Sequence, residues 1–266
     1  MGQTTHRITG IIPSCRDEPL IEHAVGSLEE CLINSGFEYE LIVVDDGWRP
    51  DFSNKLKGLD VKLIESDMIF NGFGLAVNNA LENSDIDSDY LVIMHDDVAV
   101  PESLNLLEIV ELMESDPTIG LVSPKNVHPN GWLTQTYYVL GITQMGSTEI
   151  RSELKYWYKE CNAANEPGPV KAVPSGFWVV KRSVFKEVEG FSPEYSPALL
   201  EDLDFCLKIR EKDYAVYYLP QYEITHVTKV SVNDTYLDMN RIGNGNLQKI
   251  VNRWNNTEVF EFEVGM

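Results

Sequence analysis

The sequence predicts an α/β fold in which helices cover both faces of a mostly parallel β-sheet. In the first half of the 266-residue chain, short apolar segments of strand length alternate with segments of helical periodicity. The strand segments are almost continuously apolar, which is typical of parallel strands that are buried on both faces. A hydrophobic content of 43% in a chain of this length is sufficient for one large domain or two small ones.

The first half is predicted to alternate strands and helices, each ended by polar or turn residues. The first helix places its apolar residues three and four apart and is predicted to end before Gly36, because glycine often follows the last turn of a helix. The predicted strands are residues 7–13, 39–44, 61–66 and 90–94. The predicted helices are residues 20–35, 75–83 and 103–115.

The second half is less regular. Residues 132–158 are rich in aromatic side chains and glycine, and their pattern predicts no regular element. The tail, residues 230–254, is predicted to be helical in part. The other predicted elements are strands at residues 120–123, 176–181 and 215–219 and a helix at residues 201–212.

The net charge of −21 disfavours non-specific binding to two classes of partner. Nucleic acids and anionic membrane surfaces would both repel a chain this acidic, so we expect neither as a non-specific ligand. An anionic substrate remains compatible, because a bound divalent cation can invert the local sign of the charge. The acidity is also explained simply by solubility.

The cysteines and the N-terminal segment indicate a cytoplasmic protein without a membrane-spanning segment. The four cysteines, Cys15, Cys31, Cys161 and Cys206, are widely spaced, which suits free and mostly buried thiols in a reducing compartment. No signal-peptide pattern is present, and no apolar run is long enough to cross a bilayer.

Two predicted strands end in paired aspartates, Asp45-Asp46 and Asp96-Asp97, and the second pair follows His95. Successive parallel strands release their loops at one edge of the sheet, where ligands of such sheets bind. Both pairs should therefore face one crevice. The residues alone leave two readings open: a site for a cation and its ligand, or solvated strand ends and an ordinary Asp-Asp-Gly turn.

Four segments in order resemble the inverting glycosyltransferases of family 2, which have the GT-A fold. They are IIPSCRDEP, ELIVVDDGWRPD, DYLVIMHDDVAVPE and LLEDLDFCLKIREKDYAVYYLP, the last followed by ITHV, and together they cover about residues 8–226. The resemblance implies a Rossmann-like, mostly parallel sheet with a smaller antiparallel portion on the acceptor side. It implies one domain, with a nucleotide-binding half at residues 1–125, an acceptor and catalytic half at residues 126–229, and a helical tail at residues 230–266.

The same resemblance implies a metal site formed by His95, Asp97 and His226. The family carries an aspartate-any-aspartate motif after the fourth strand, and here His95 stands at the first aspartate and Asp96 at the middle position. Carboxylates hold a hard divalent cation that neutralises a diphosphate leaving group, so the expected cofactor is Mn²⁺ or Mg²⁺. Imidazole shifts the preference toward Mn²⁺.

The resemblance also implies a donor site for a sugar carried on a nucleoside diphosphate, UDP or dTDP. Asp45 and Asp46 match the family's contacts to base and ribose, since carboxylates accept hydrogen bonds from ring N–H groups and hydroxyls. The other residues expected to line this site are Pro13, Ser14, Arg16, Asp96 and Gly176.

The acidic pair Glu201-Asp202 opens a predicted helix, where the helix dipole alone favours carboxylates. The resemblance implies that Asp202, in preference to Glu201, is the general base. It would take the proton from a hydroxyl of a glycan or glycolipid acceptor in a hexosyl or deoxyhexosyl transfer. Asp204, two positions further along the helix, should point elsewhere.

Two alternative functions remain open. One is a nucleotidyltransferase of the same broad fold, although such enzymes usually show a glycine-rich segment with a basic residue near the N-terminus. The other is a degenerate protein that binds a sugar nucleotide without turnover, for which His95 is the supporting feature and Asp202 the opposing one. In the leading interpretation the enzyme is cytoplasmic and reaches a membrane-bound acceptor through a partner.

Overall fold

The structure of the protein is a computed structural model. The residues that it describes are 6–15, 20–47, 49, 51–66, 70–135, 137–142, 148–153, 159–160, 162–227, 238–255 and 257–260. Within them, helices cover both faces of one large, mostly parallel sheet, so the predicted fold class is confirmed.

The strands and α-helices are numbered in chain order. The strands are β1 (Arg7–Ser14), β2 (Glu38–Asp45), β3 (Lys62–Glu65), β4 (Tyr90–Met94), β5 (Val98–Ala99), β6 (Ile119–Val127), β7 (Leu133–Gln135), β8 (Tyr137–Ile142), β9 (Thr148–Glu153), β10 (Gly168–Val170), β11 (Phe177–Lys181) and β12 (Ala215–His226). The helices are α1 (Ile21–Ser35), α2 (Phe52–Lys55), α3 (Phe73–Glu82), α4 (Leu106–Ser115), α5 (Arg182–Glu187), α6 (Glu201–Glu211) and α7 (Met239–Trp254).

The main sheet has the strand order β10-β12-β6-β11-β4-β1-β2-β3. The strands of the first half, β3, β2, β1 and β4, are parallel to one another. β11 runs antiparallel between β4 and β6, and β12 is parallel to β6. The carboxyl ends of β1, β2, β4, β6 and β12 therefore lie at the same edge of the sheet.

The core lies on both faces of the sheet, and β4 shows how the sequence divides between them. Tyr90, Val92 and Met94 belong to the core on the face covered by α1 and α4. Leu91 and Ile93, which alternate with them, belong to the core on the face covered by α3 and α6. Because side chains of a strand alternate in direction, a strand buried on both faces must be apolar throughout.

α1 has the predicted form. Its buried residues recur at helical spacing, and Gly36 follows the helix with φ 72° while its backbone N–H bonds to the carbonyl of Ile33. Glycine adopts this left-handed conformation without the steric penalty of a Cβ atom.

The second half contains regular structure that the sequence pattern did not predict. β8 and β9 pair as a separate antiparallel hairpin within the aromatic segment. β12 does not end at Leu219 as predicted but continues to His226, and its pairing with β6 shifts register between Leu219 and Glu223. Pro220 lies in this irregularity, where a proline is tolerated in a strand. α2 and α5 were also not predicted.

The remaining sequence expectations have mixed outcomes. Cys31 and Cys206 are buried free thiols and Cys15 is partly exposed, while Cys161 lies outside the described residues. The helix expected in the tail is α7, and residues 230–237 of that segment also lie outside the description. Among the described helices, none combines the length and the apolar character needed to cross a bilayer.

Leu28 and Ile33 on α1 provide a matched test of the core. Leu28 is completely buried, whereas the Ile33 side chain is 58% exposed. Replacement of Leu28 by Ala should lower the free energy of unfolding by about 2–5 kcal/mol, because it leaves a cavity. Ile33→Ala should change it by no more than about 0.5 kcal/mol. Urea denaturation measures both, and equal losses would contradict the placement of α1.

Candidate active site

The loop after β4 and the end of β12 meet at the carboxyl edge of the sheet. β5 follows that loop directly and pairs antiparallel with β12, so that Val98 lies opposite His226. The backbone N–H of Val227 also donates to the carbonyl of Asp97 at 3.1 Å. This pairing brings His226 to residues 95–97, which are far from it in sequence.

The three residues predicted to bind a metal, His95, Asp97 and His226, lie together and form what is termed the metal cluster. Nε2 of His226 is 3.2 Å from Oδ1 of Asp97, and Nδ1 of His95 is 4.0 Å from the same oxygen. One potential ligand atom from each side chain lies within 4.8 Å of the other two. Oδ1 of Asp97 is buried and has no well-aligned hydrogen-bond donor among the described residues. Buried polar atoms are normally satisfied, so this oxygen fits a metal ligand.

The protonation of the cluster also suits a metal. Burial would raise the pKa of Asp97, but the imidazoles of His226 and His95 outweigh it and hold the pKa below its ordinary value. Burial and the neighbouring His226 lower the pKa of His95. At neutral pH the cluster therefore offers an ionised carboxylate and a neutral imidazole, which are the forms that bind metals. Two imidazoles and one carboxylate suit Mn²⁺ better than Mg²⁺.

Ser175 and Gly176 connect this cluster to α6. The His95 ring nitrogen Nε2 lies 2.9 Å from the Ser175 hydroxyl, and the His95 backbone N–H donates to the carbonyl of Gly176 at 3.1 Å. The backbone of Ser175 also lies close enough to the carboxylate of Asp202 to lower its pKa. Ser175 therefore contacts both His95 of the metal cluster and the predicted base, Asp202.

Gly176 was expected to line the donor site, but the space beside it is filled by the side chains of Asn126 and His226. A Cβ atom on Gly176 would lie 2.3 Å from Oδ1 of Asn126 and 3.0 Å from Nδ1 of His226. The absence of a side chain here allows His226 to approach the metal cluster. A role in sugar binding for Gly176 stays a prediction.

Asp202 is buried and well supplied with hydrogen-bond donors. Its Oδ2 accepts from the Tyr138 hydroxyl at 2.9 Å, and its Oδ1 accepts from the backbone N–H of Leu203 at 2.8 Å. Burial raises the pKa of Asp202, and the hydrogen bonds from Tyr138, Leu203 and Ser175 oppose part of that rise. A raised pKa brings a carboxylate closer to the strength that a general base needs near neutral pH.

Glu201 differs from its neighbour. Its Oε2 is buried without a hydrogen-bond partner among the described residues. Burial and the charge of Asp202 raise the pKa of Glu201, and no side-chain donor opposes the rise. The two carboxyl groups therefore titrate apart, with the proton held by Glu201.

The predicted nucleotide residues Asp45 and Asp46 are buried and hold loops in place. Oδ1 of Asp45 accepts from the Gly47 N–H at 3.0 Å and from Nε of Arg49 at 2.9 Å. Asp46 accepts from the backbone N–H groups of Asn71 at 3.0 Å and Gly72 at 2.8 Å. Each carboxylate thus shapes the strand ends, and contact with a base or ribose stays a prediction for both.

The other residues predicted for the nucleotide site are only partly described. Pro13 and Ser14 end β1 beside β2, where Arg49 donates to the Ser14 carbonyl at 3.1 Å. Asp96 is buried beside the metal cluster. Arg16 lies outside the described residues.

Sequence reasoning missed Arg49, Tyr138 and Ser175. Arg49 follows Asp45 closely in the sequence, and this nearby opposite charge could have suggested the ion pair that the two form at 2.9 Å. Tyr138 and Ser175 left no comparable signal, because their contacts join segments that are distant in sequence.

Comparison with known proteins identifies the class. The model of the family described as glycosyl transferase family 2 matches residues 9–189, which is more than half of the chain. The chain belongs to glycosyl transferase family 2. A curated relative, the uncharacterized protein y4gI of Sinorhizobium fredii (strain NBRC 101917 / NGR234), is 27% identical over 198 residues. The match covers 71% of this chain and 21% of that protein, so the chain spans about a fifth of its length.

Solved glycosyltransferase structures share the GT-A fold. GalNAc-T7 with UDP, GalNAc and Mn²⁺ superposes with a TM-score of 0.70 and 14% identity, over 97% of this chain and 49% of that one. The mannosyltransferase PcManGT from Pyrobaculum calidifontis, in complex with GDP-Man and Mn²⁺, gives 0.60 and 18%, over 86% and 59%. At identities this low the likeness shows the fold alone.

Asp97→Asn tests the metal cluster. It should weaken Mn²⁺ binding by at least about tenfold, because one ligand oxygen loses its charge. Asp96→Asn removes the same charge one residue away and should weaken binding less, so the difference isolates ligation from general electrostatics. Electron paramagnetic resonance titration of free Mn²⁺ measures both. An equal effect of the two substitutions would contradict the assignment of Asp97 as a ligand.

Proposed function

We propose that the protein is a metal-dependent inverting glycosyltransferase. It transfers a hexosyl or deoxyhexosyl group from a UDP- or dTDP-linked donor to a hydroxyl of a glycan or glycolipid acceptor. The observation that supports this most strongly is the contact of Ser175 with both His95 and Asp202. This contact supports the proposal because a displacement on a nucleotide sugar requires an ion and a base at one edge of the sheet.

The roles of the residues follow from the negative charge that develops on the diphosphate as it leaves. His95, Asp97 and His226 would hold the divalent ion, which supplies charge neutralisation to the diphosphate when it is bound. Asp202 takes the proton of the acceptor hydroxyl as that oxygen bonds to the anomeric carbon. The bond from the anomeric carbon to the phosphate oxygen breaks, and the nucleoside diphosphate leaves with its electron pair.

Asp202 is a better candidate for the base than Glu201. A base must be ionised before the reaction, and donors from Tyr138, Leu203 and Ser175 stabilise the ionised form of Asp202. Among the described residues only a backbone hydrogen bond opposes the rise in the pKa of Glu201, so Glu201 retains its proton to higher pH. An attack assisted from the side opposite the leaving group inverts the anomeric centre, and proton NMR of the first product would test this stereochemistry.

The proposal extends to the setting of the enzyme. The chain is proposed to act as one domain with the nucleotide-binding half, the acceptor half and the helical tail predicted above. Free buried thiols at Cys31 and Cys206 support a reducing, cytoplasmic location. There the enzyme would reach a membrane-bound acceptor through a partner protein.

A panel of nucleotide sugars tests the donor. UDP-, dTDP- and GDP-linked hexoses are added with and without Mn²⁺, and the melting temperature is recorded. A true donor should raise it only with the metal, since a ligand at about 100 times its Kd stabilises the fold by about 2.7 kcal/mol. GDP-mannose belongs in the panel because PcManGT was solved with it. No stabilisation by any of these donors would contradict the proposal.

Asp202→Asn tests the base. The substitution keeps the shape of the side chain and removes its basicity, so kcat should fall by about 10²–10⁴-fold. The Kd for UDP with Mn²⁺ should be unchanged, because the metal cluster is intact. Asp213→Asn, at the end of α6 beyond the site, is the matched control. Absence of turnover in the wild type itself would favour a protein that binds sugar nucleotides without reaction.

Tyr138→Phe tests the hydrogen bond to the base. The Tyr138 hydroxyl stabilises the ionised carboxylate of Asp202 and lowers its pKa, so its loss should raise that pKa. The acid limb of kcat/KM against pH should therefore move to higher pH by about one unit, since a hydrogen bond to a charged group contributes about 1.5–3 kcal/mol.

Tyr218→Phe serves as the control for this measurement. The Tyr218 hydroxyl donates to a backbone carbonyl, that of Ala164, at 3.0 Å. Its loss should leave the acid limb in place. An unmoved limb in Tyr138→Phe would remove Asp202 as the group that titrates.

A further inference from the structure

The turn that leads into α6 has an unfavourable backbone. Leu199 and Leu200, the two residues before Glu201, have φ values of 73° and 69°. The left-handed region is sparsely populated by residues other than glycine, because the Cβ atom crowds the backbone. Two such leucines in succession require contacts from elsewhere that hold them. The direction in which Glu201 and Asp202 enter the site depends on this turn.

Asn246 of α7 provides those contacts. Asn246 is 2% exposed. Its Nδ2, which carries two hydrogens, lies within hydrogen-bonding distance of three carbonyl oxygens of the turn, so that one hydrogen is shared. The acceptors are the carbonyls of Tyr195 at 3.1 Å, Ala198 at 2.8 Å and Leu199 at 2.8 Å. Converging carbonyl dipoles repel one another unless a donor lies between them. Asn246 therefore stabilises the shape of the turn itself.

Lys249 fixes the orientation of the Asn246 amide. Its Nζ donates to Oδ1 of Asn246 at 2.8 Å, so the oxygen faces Lys249 and the nitrogen faces the turn. Nζ of Lys249 also donates to the backbone carbonyl of Glu194, within the same loop. The amide is thereby held by partners on both of its ends.

A second contact joins α7 to α6 one turn after Glu201. Asp204 is completely buried, although the sequence predicted only that it points away from the site. Its Oδ1 accepts from Nε1 of Trp254 at 2.9 Å, and Arg253 lies 3.3 Å from the same oxygen. Its Oδ2 accepts from the Ser192 hydroxyl at 2.7 Å. α7 thus holds both the turn before α6 and the first turns of α6.

We propose that Asn246 is a positioning residue for the acidic pair that begins α6. Its amide holds the carbonyls of residues 195–199 together, keeps Leu199 and Leu200 left-handed, and so directs Asp202 toward Ser175 and the metal cluster. Without this donor the turn relaxes toward right-handed conformations, and the start of α6 rotates. The assignment of Asp202 as the group positioned for reaction rests on the proposed function.

Asn246→Ala is the direct test, with Ile250→Val as its matched control. Ile250 lies on the same helix and is completely buried in the core. Its aliphatic side chain cannot donate a hydrogen bond to the turn. Asn246→Ala should lower kcat for UDP-glucose or GDP-mannose by at least about tenfold, since small misplacements at a reacting centre have such effects. The Kd for UDP with Mn²⁺ should stay within about twofold of wild type, because the metal cluster is untouched. Ile250→Val should lower the melting temperature without lowering kcat.

Hydrogen exchange gives a readout that does not depend on activity. Backbone amides of residues 195–204 should exchange faster in Asn246→Ala, whereas those of residues 90–99 should be unchanged. Asn246→Asp, which replaces the donor by a further acceptor, should exchange at least as fast. If neither variant folds, Lys249→Met removes the contact that orients the amide, together with the bond to the Glu194 carbonyl, but keeps the Asn246 donor. A smaller change in the same direction is then expected.

The outcomes separate the two proposals. Exchange and kcat in Asn246→Ala that match those of Ile250→Val would overturn the positioning role. A wild-type protein without turnover on any donor would overturn the proposed function, while faster exchange confined to residues 195–204 would still establish that Asn246 holds the turn.

Discussion

The pairing of β5 with the end of β12 is the constraint on which the site depends. It carries His226 across the sheet edge to Asp97, more than a hundred residues away in sequence, and sets their side chains 3.2 Å apart. β12 can reach this point only because it continues past the irregularity at Pro220. Gly176 has to lack a side chain for the same approach to occur. Backbone geometry, more than any single acidic residue, therefore forms the metal cluster.

A single residue, Ser175, connects this cluster to the start of α6. Ser175 contacts the ring of His95 and lies against the carboxylate of Asp202, so the candidate metal site and the proposed base are coupled through the backbone before β11. α6 is buried along most of its length, which is unusual for a helix that begins with two acidic residues. Burial raises the pKa of both Glu201 and Asp202, and the hydrogen bonds to Asp202 oppose part of the rise for that residue. α7 fixes the turn from which both residues emerge.

The sequence predicted the first half of the fold well because its signals are local. β4 has the predicted bounds, and α1 ends at Gly36, since apolar periodicity and a left-handed glycine are both readable from neighbouring residues. Contacts between distant segments leave no such pattern, so the hydrogen bond from Tyr138 and the three bonds from Asn246 were not predicted. The resemblance to a family named the candidate metal ligands, but only the structure shows what brings His226 among them.

A crystal structure with Mn²⁺ and UDP would show which residues hold the ion and which way Asp202 faces. We expect an anomalous manganese peak bound by His95, Asp97 and His226, in contact with the diphosphate. Asp202 should face the sugar side of that diphosphate with its carboxylate still near Ser175. A manganese peak held by other residues at saturating metal, or an Asp202 carboxylate turned away from the nucleotide, would show that these side chains do not form the proposed active site.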